Sequence, residues 1–173
     1  MILKVIWPVL LLTGSLLAGV FFNGGPVEEE KLIELPAFSE RGLNTFGCML
    51  NNQTWTGQQV QARLHVFDES VCFSLNSGLD YQDRLAFIIP AKSLSPGVYV
   101  LDDPAAAYVH LQQHNTECLF TSDEFYQGML TITAHDKAQH ILSGTFEFLA
   151  FSQSCGKAVR GTHGRFDVVY SQY

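Results

Sequence analysis

Among side chains able to do chemistry, the six histidines come first, because a neutral imidazole binds zinc and moves protons near neutral pH. His110 and His114 stand four residues apart, a spacing that puts two ligands on one face of a helix, as zinc sites use. The H-E-x-x-H pattern is absent, since Leu111 and Gln112 follow His110. His135 and His140 flank a polar turn that also holds Asp136, and they form the second pair able to approach. Solvent-facing strand and turn histidines explain both pairs, so the expectation is no metal and no cofactor. No G-x-S-x-G nucleophile elbow occurs. Acids gather at Asp80 to Asp83, Asp102-Asp103 and Asp123-Glu124, in turn-like surroundings that suit solvated caps, and calcium-loop spacing is missing. The sequence therefore predicts no catalytic residue and no enzyme.

Cys48, Cys72, Cys118 and Cys155 contain no C-x-x-C pair, which argues against a zinc ribbon or a thioredoxin-type site. An even count suits two disulfides in an oxidising compartment. Such a compartment agrees with the N-terminus. Lys4 precedes an apolar run from Val5 to Leu17, and Ala18-Gly19 then supply the small residues of a cleavage site. Residues 1–22 read as a signal peptide or as an uncleaved hydrophobic helix, since Val5 to Phe22 nearly spans a bilayer core of about 30 Å. Residues 23–42 read as a linker, with Asn23-Gly24-Gly25-Pro26, the run Glu28-Glu29-Glu30, and Pro36. Residues 43–173 make one domain, long enough to bury a proper core.

The net charge is −7, and removing Lys4 with the leader leaves nine basic residues against seventeen acidic ones. With no basic stripe to offset that balance, a phosphate backbone is repelled and nucleic-acid binding is not expected. Thirteen Phe and a charged fraction of only 16% favour strands over solvent-exposed helices. The hydrophobic pattern agrees, with period 2 from Leu43 onward. Val60 to Val66 and Val71 to Asn76 alternate around a turn at Phe67 to Ser70 and read as a hairpin. Further strands are expected at Arg84 to Ile89, Val98 to Leu101, Leu130 to Ala134, Ile141 to Phe151 and Arg165 to Tyr170. Asp103-Pro104 and three alanines would open a helix. The alternation of Tyr108, His110 and Gln112 with Val109 and Leu111 fits a strand instead.

Asn44-Thr45-Phe46-Gly47-Cys48-Met49-Leu50-Asn51 followed by Trp55, then Ser143-Gly144-Thr145-Phe146-Glu147-Phe148 and Gly164-Arg165-Phe166-Asp167-Val168, resemble the two ends of an uncharacterised domain family of secreted Bacteroidota lipoproteins. The resemblance runs from Leu43 to Tyr170 and implies a β fold, an envelope location and a strand around Tyr108. It brings no activity. The chain departs from the lipoprotein pattern at Val20, where a lipidated Cys would stand and no thiol is present.

The closing motifs make sense as structure. Phe146, Phe148, Phe166 and Val168 are expected to face the core from two paired strands, with Glu147, Arg165 and Asp167 on the opposite face. There Glu147 and Arg165 would pair across strands for a few tenths of a kcal/mol. Gly144 and Gly164 suit a bulge or a close approach. A Cys118–Cys155 bridge would staple a late loop to the sheet, leaving Cys48–Cys72 as the second pair. The expected fold is an all-β, antiparallel sandwich or flattened barrel of about eight to ten strands. The expected function is that of an exported domain of the periplasm or cell envelope. It would bind an envelope protein, a glycan or a small apolar ligand without catalysis, or serve a structural or inhibitory role, or act as a small hydrolase.

Overall fold

The computed structural model describes residues 34–57, 60–67, 70–77, 83–103, 107–113 and 118–172. The leader over residues 1–22, most of the linker, and His114 lie outside these residues. Eleven strands are present and no helix is found among the described residues. They are β1 (Thr45–Leu50), β2 (Gln53–Thr56), β3 (Gln61–Val66), β4 (Val71–Ser77), β5 (Asp83–Ile89), β6 (Gly97–Leu101), β7 (Tyr108–Gln112), β8 (Leu119–Thr121), β9 (Gly128–Asp136), β10 (Ile141–Ser152) and β11 (Lys157–Gln172). The count exceeds the expected eight to ten because β2 and β8 are only four and three residues long, too short to show a period.

All eleven strands belong to one sheet. From β3 the hydrogen-bonded neighbours run β4, β5, β7, β8, β10 and β11, and β11 pairs again with β3, so the pairings return to their start. The closing contact is parallel, with Tyr170 opposite Ala62, whereas every other strand pair is antiparallel. The β1–β2 hairpin flanks β11, while β9 and then β6 continue outward from β10. Asn51 and Asn52, both at positive φ, form the two-residue hairpin turn whose backbone twist matches the strands it joins. In the β9–β10 turn, Asp136 Oδ1 accepts the amides of Ala138 and Gln139 at 2.9 and 3.0 Å.

The core is aromatic. Phe46, Phe73, Phe87, Phe146 and Phe166 are each no more than 2% exposed. Their ring centroids are 5.1 Å apart for Phe73–Phe166, 5.3 Å for Phe87–Phe146 and 5.8 Å for Phe46–Phe146. Such pairs add about 0.5–1.5 kcal/mol each beyond their buried area. Gly164 lies opposite Phe146 in the ladder, and a Cβ there would run into the Phe146 ring and carbonyl. A Cβ on Gly144 would strike the Thr131 carbonyl oxygen and the Phe166 ring. Both motif glycines therefore serve close approach, as their types suggested.

Candidate functional site

The motif residues sort themselves by face. Phe146, Phe148, Phe166 and Val168 are buried in the core, while Glu147 and Arg165 point to the other face. Glu147 and Arg165 line one cavity, but the expected ion pair does not form. Arg165 stands opposite Thr145, and Glu147 falls in the irregularity between Phe146 and Phe148, out of step with it. Asp167 shares their face yet is buried, because residues 41–43 lie over it.

Asp167 is a fastening point. Its Oδ2 accepts the amides of Arg41 (3.1 Å) and Leu43 (3.0 Å), and its Oδ1 accepts the Gly42 amide (2.8 Å) and the Ser143 hydroxyl (2.7 Å). Burial alone would raise this carboxyl. The Leu43 amide, the Ser143 hydroxyl and the Gly42 amide outweigh it and hold the group down at about 2. Farther along, Pro36 and Leu35 pack against Gly47, so the distal end of the stretch read as linker contacts the sheet. Asn44, at φ 54, accepts the Val169 amide through Oδ1 at 2.8 Å.

His135 and His140 do come together, around Tyr170. His135 Nδ1 is 3.0 Å from the Leu94 carbonyl and Nε2 is 2.8 Å from the Tyr170 hydroxyl. A carbonyl only accepts, so Nδ1 carries the proton and, in the neutral ring, Nε2 accepts from the phenol. The His140 ring stacks on that of Tyr170, with centroids 5.3 Å apart. Burial, helped by Asp136, pushes the Tyr170 hydroxyl above its ordinary value. The phenol is thus kept as a neutral donor, and the cluster ties the ends of β9 and β11 to the loop at Leu94. Among the described residues no three His, Cys, Asp or Glu side chains converge as a metal site would require. His110 is drawn downward by burial and by Arg84, and its buried Nε2 meets no hydrogen-bond partner.

Cys118 and Cys155 are bridged. Cys48 and Cys72 are not: both are buried free thiols, which corrects the expected second disulfide. In the strand order β11 and β3 stand between β1 and β4. Strands spaced about 4.8 Å apart put those two far beyond the Cα separation of roughly 7 Å that a bridge tolerates. Burial pushes the Cys48 thiol up to about 12, which makes it inert.

The open feature is a trough on the outward face of β9, β10 and β11. One cavity of about 320 Å³ is lined by Phe38, Met129, Thr131, Thr145, Glu147 and Arg165, with His163 beside them. A second, of about 470 Å³, shares Met129 and Glu147 and extends past Val100 and Leu149 to Arg160. Phe38 and Met129, which line the first cavity, are 52% and 44% exposed, and on the neighbouring β6 Val98 and Val100, opposite Thr131 and Met129, are 60% and 55% exposed. Sequence reasoning found Glu147 and Arg165 here but missed Met129, Phe38 and Arg160. The alternating pattern identifies them only as outward-facing.

A family model for a domain of unknown function, DUF6252, matches residues 44–169. Those limits coincide with the hydrogen bond between Asn44 and Val169. Comparison with curated proteins and with solved structures returns no match. With the match covering most of its length, the chain belongs to the domain family of unknown function DUF6252.

Proposed function

We propose that this chain is an exported, non-catalytic binding domain whose binding surface is the trough over β9, β10 and β11. The observation that carries the reading is the exposed Phe38 and Met129 in a cavity with Glu147 and Arg165 in its wall, continued by the exposed Val98 and Val100 on the neighbouring strand, opposite Thr131 and Met129. Contiguous exposed apolar surface with a few polar groups is what a partner surface requires. We read the returning ring of strand pairs as a flattened barrel. Its interior is filled by the five phenylalanines, which argues for recognition on the outside rather than of an apolar molecule inside. Export is supported by the leader pattern and by the Cys118–Cys155 bridge, which persists in oxidising surroundings.

A photo-crosslinking residue at Met129, in the cell that makes the protein, tests this reading. The expected outcome is a discrete adduct from Met129 and none from the same residue at Gln139, on the exposed β9–β10 turn. No adduct, or equal labelling at both positions, would overturn it. The structural alternative has its own support, since Asp167, Ser143, Gly144 and Gly164 are all consumed by holding the sheet together. It is the reading left standing by that negative outcome.

A further inference from the structure

We infer that the occupant of the trough is an extended peptide with acidic side chains flanking a neutral, apolar stretch. This rests on the binding reading above and goes on to name the ligand class. Arg160 and Arg165 both lie on the outward side of β11 and mark the two ends of the trough. Across the irregularity in β11, Arg160 stands opposite Leu149 and Arg165 opposite Thr145, four residues apart on β10, which separates the two by roughly 13 Å. Among the described residues neither guanidinium has a carboxylate partner, in a chain whose net charge is −7. A guanidinium fork is matched to a carboxylate, so two forks without one among the described residues select two acids about that far apart. Glu147 stands between them in the wall of both cavities and repels a third acid at the centre.

The floor and rim then decide between a peptide and an acidic glycan. Val98, Val100 and Met129 offer aliphatic contact suited to Val, Ile or Leu side chains, and Phe38 and the His163 imidazole are the rings exposed at the first cavity. Sugars stack on aromatic faces, whereas three of the four large apolar side chains exposed beside these cavities, Val98, Val100 and Met129, are aliphatic. An extended peptide over the trough places alternate side chains toward it, so acids four residues apart fall on the same side and reach both arginines.

The test uses the full chain and a labelled, capped peptide of about seven residues, with glutamates four positions apart and valine or threonine elsewhere. A control carries glutamine at those two positions. Fluorescence anisotropy at low salt should show the acidic peptide binding about fivefold or more tighter than the control, at roughly two- to threefold per exposed ion pair. Arg160→Glu combined with Arg165→Glu should abolish that preference, and so should rising salt. Neither arginine side chain carries the fold, and circular dichroism of the double variant verifies it. Equal binding of the two peptides, or a preference that survives the double variant, overturns the inference. So does arginine-dependent binding of polygalacturonate without binding of the peptide. If Met129 crosslinks a partner while the peptides are not discriminated, this inference falls and the binding reading stands. If Met129 is silent as well, both fall.

Discussion

Replacing Asp167 with Asn takes one charge and one acceptor from a point where four donors converge. An amide keeps a single acceptor oxygen. If that oxygen serves Arg41 and Leu43, the NH2 group confronts the Gly42 amide, and only the Ser143 hydroxyl is able to turn and accept. One buried N–H is then orphaned, at about 1–3 kcal/mol. The charge contributes separately. The carboxyl titrates at about 2 in the folded chain against an ordinary 3.8, a gap equivalent to roughly 2 kcal/mol. Because the folded value is depressed, this stabilisation is complete above about pH 4 and is lost as the pH falls through about 2. The two effects overlap, so the expected cost at pH 7 is about 2–4 kcal/mol. Urea unfolding followed by circular dichroism measures it, as a midpoint lower by roughly 1–2 M. The parent should lose stability between pH 4 and pH 2 more steeply than the variant. A variant within about 0.5 kcal/mol of the parent at pH 7, or one with the parent's acid profile, would refute the fastening role of Asp167.

Gly144→Ala should cost more than about 3 kcal/mol or yield no folded protein, because the new methyl meets the Thr131 carbonyl and cannot push backbone aside. Gly156→Ala is the contrast: its φ is +61° but nothing lies near a new Cβ, so thermal melting should report only about 1 kcal/mol. Cys118→Ser opens a link across 37 residues and should lower stability by about 2–4 kcal/mol, an effect that reducing agent reproduces in the parent. Iodoacetamide should leave Cys48 unmodified in the native protein and alkylate both Cys48 and Cys72 in urea; native labelling of Cys48, seen by intact mass, contradicts the burial described here.

Most of the strands were legible because their inward residues alternate over five or more positions. Leu142, Phe146, Phe148 and Ala150 on β10 are the clearest, all 3% exposed or less. Tyr108–Gln112 is a strand despite the helix-like start before it, since pairing with β5 fixes its alternation. What the pattern could not show is pairing between distant segments. The burial of Asp167 depends on residues 41–43, more than a hundred positions away, in a stretch whose composition suggests only a linker. Glu147 and Arg165 missed each other because a strand irregularity shifts register, and no composition signal marks one. The trough was illegible for the same reason. Phe38, Met129 and Arg165 meet only once β9, β11 and the segment before β1 are brought to one face.

The parallel contact between β3 and the last residues of β11 has a consequence in time. Ala62 and Leu64 gain their neighbours Tyr170 and Gln172 only after more than a hundred further residues have been made. β11 also supplies partners to β1 and β10, so a growing chain lacks a seam that three other strands need. Non-local pairings of this kind make folding slow and hold its decisive step back until β11 has been made. Until β11 emerges, β1, β3 and β10 each keep an edge without its partner.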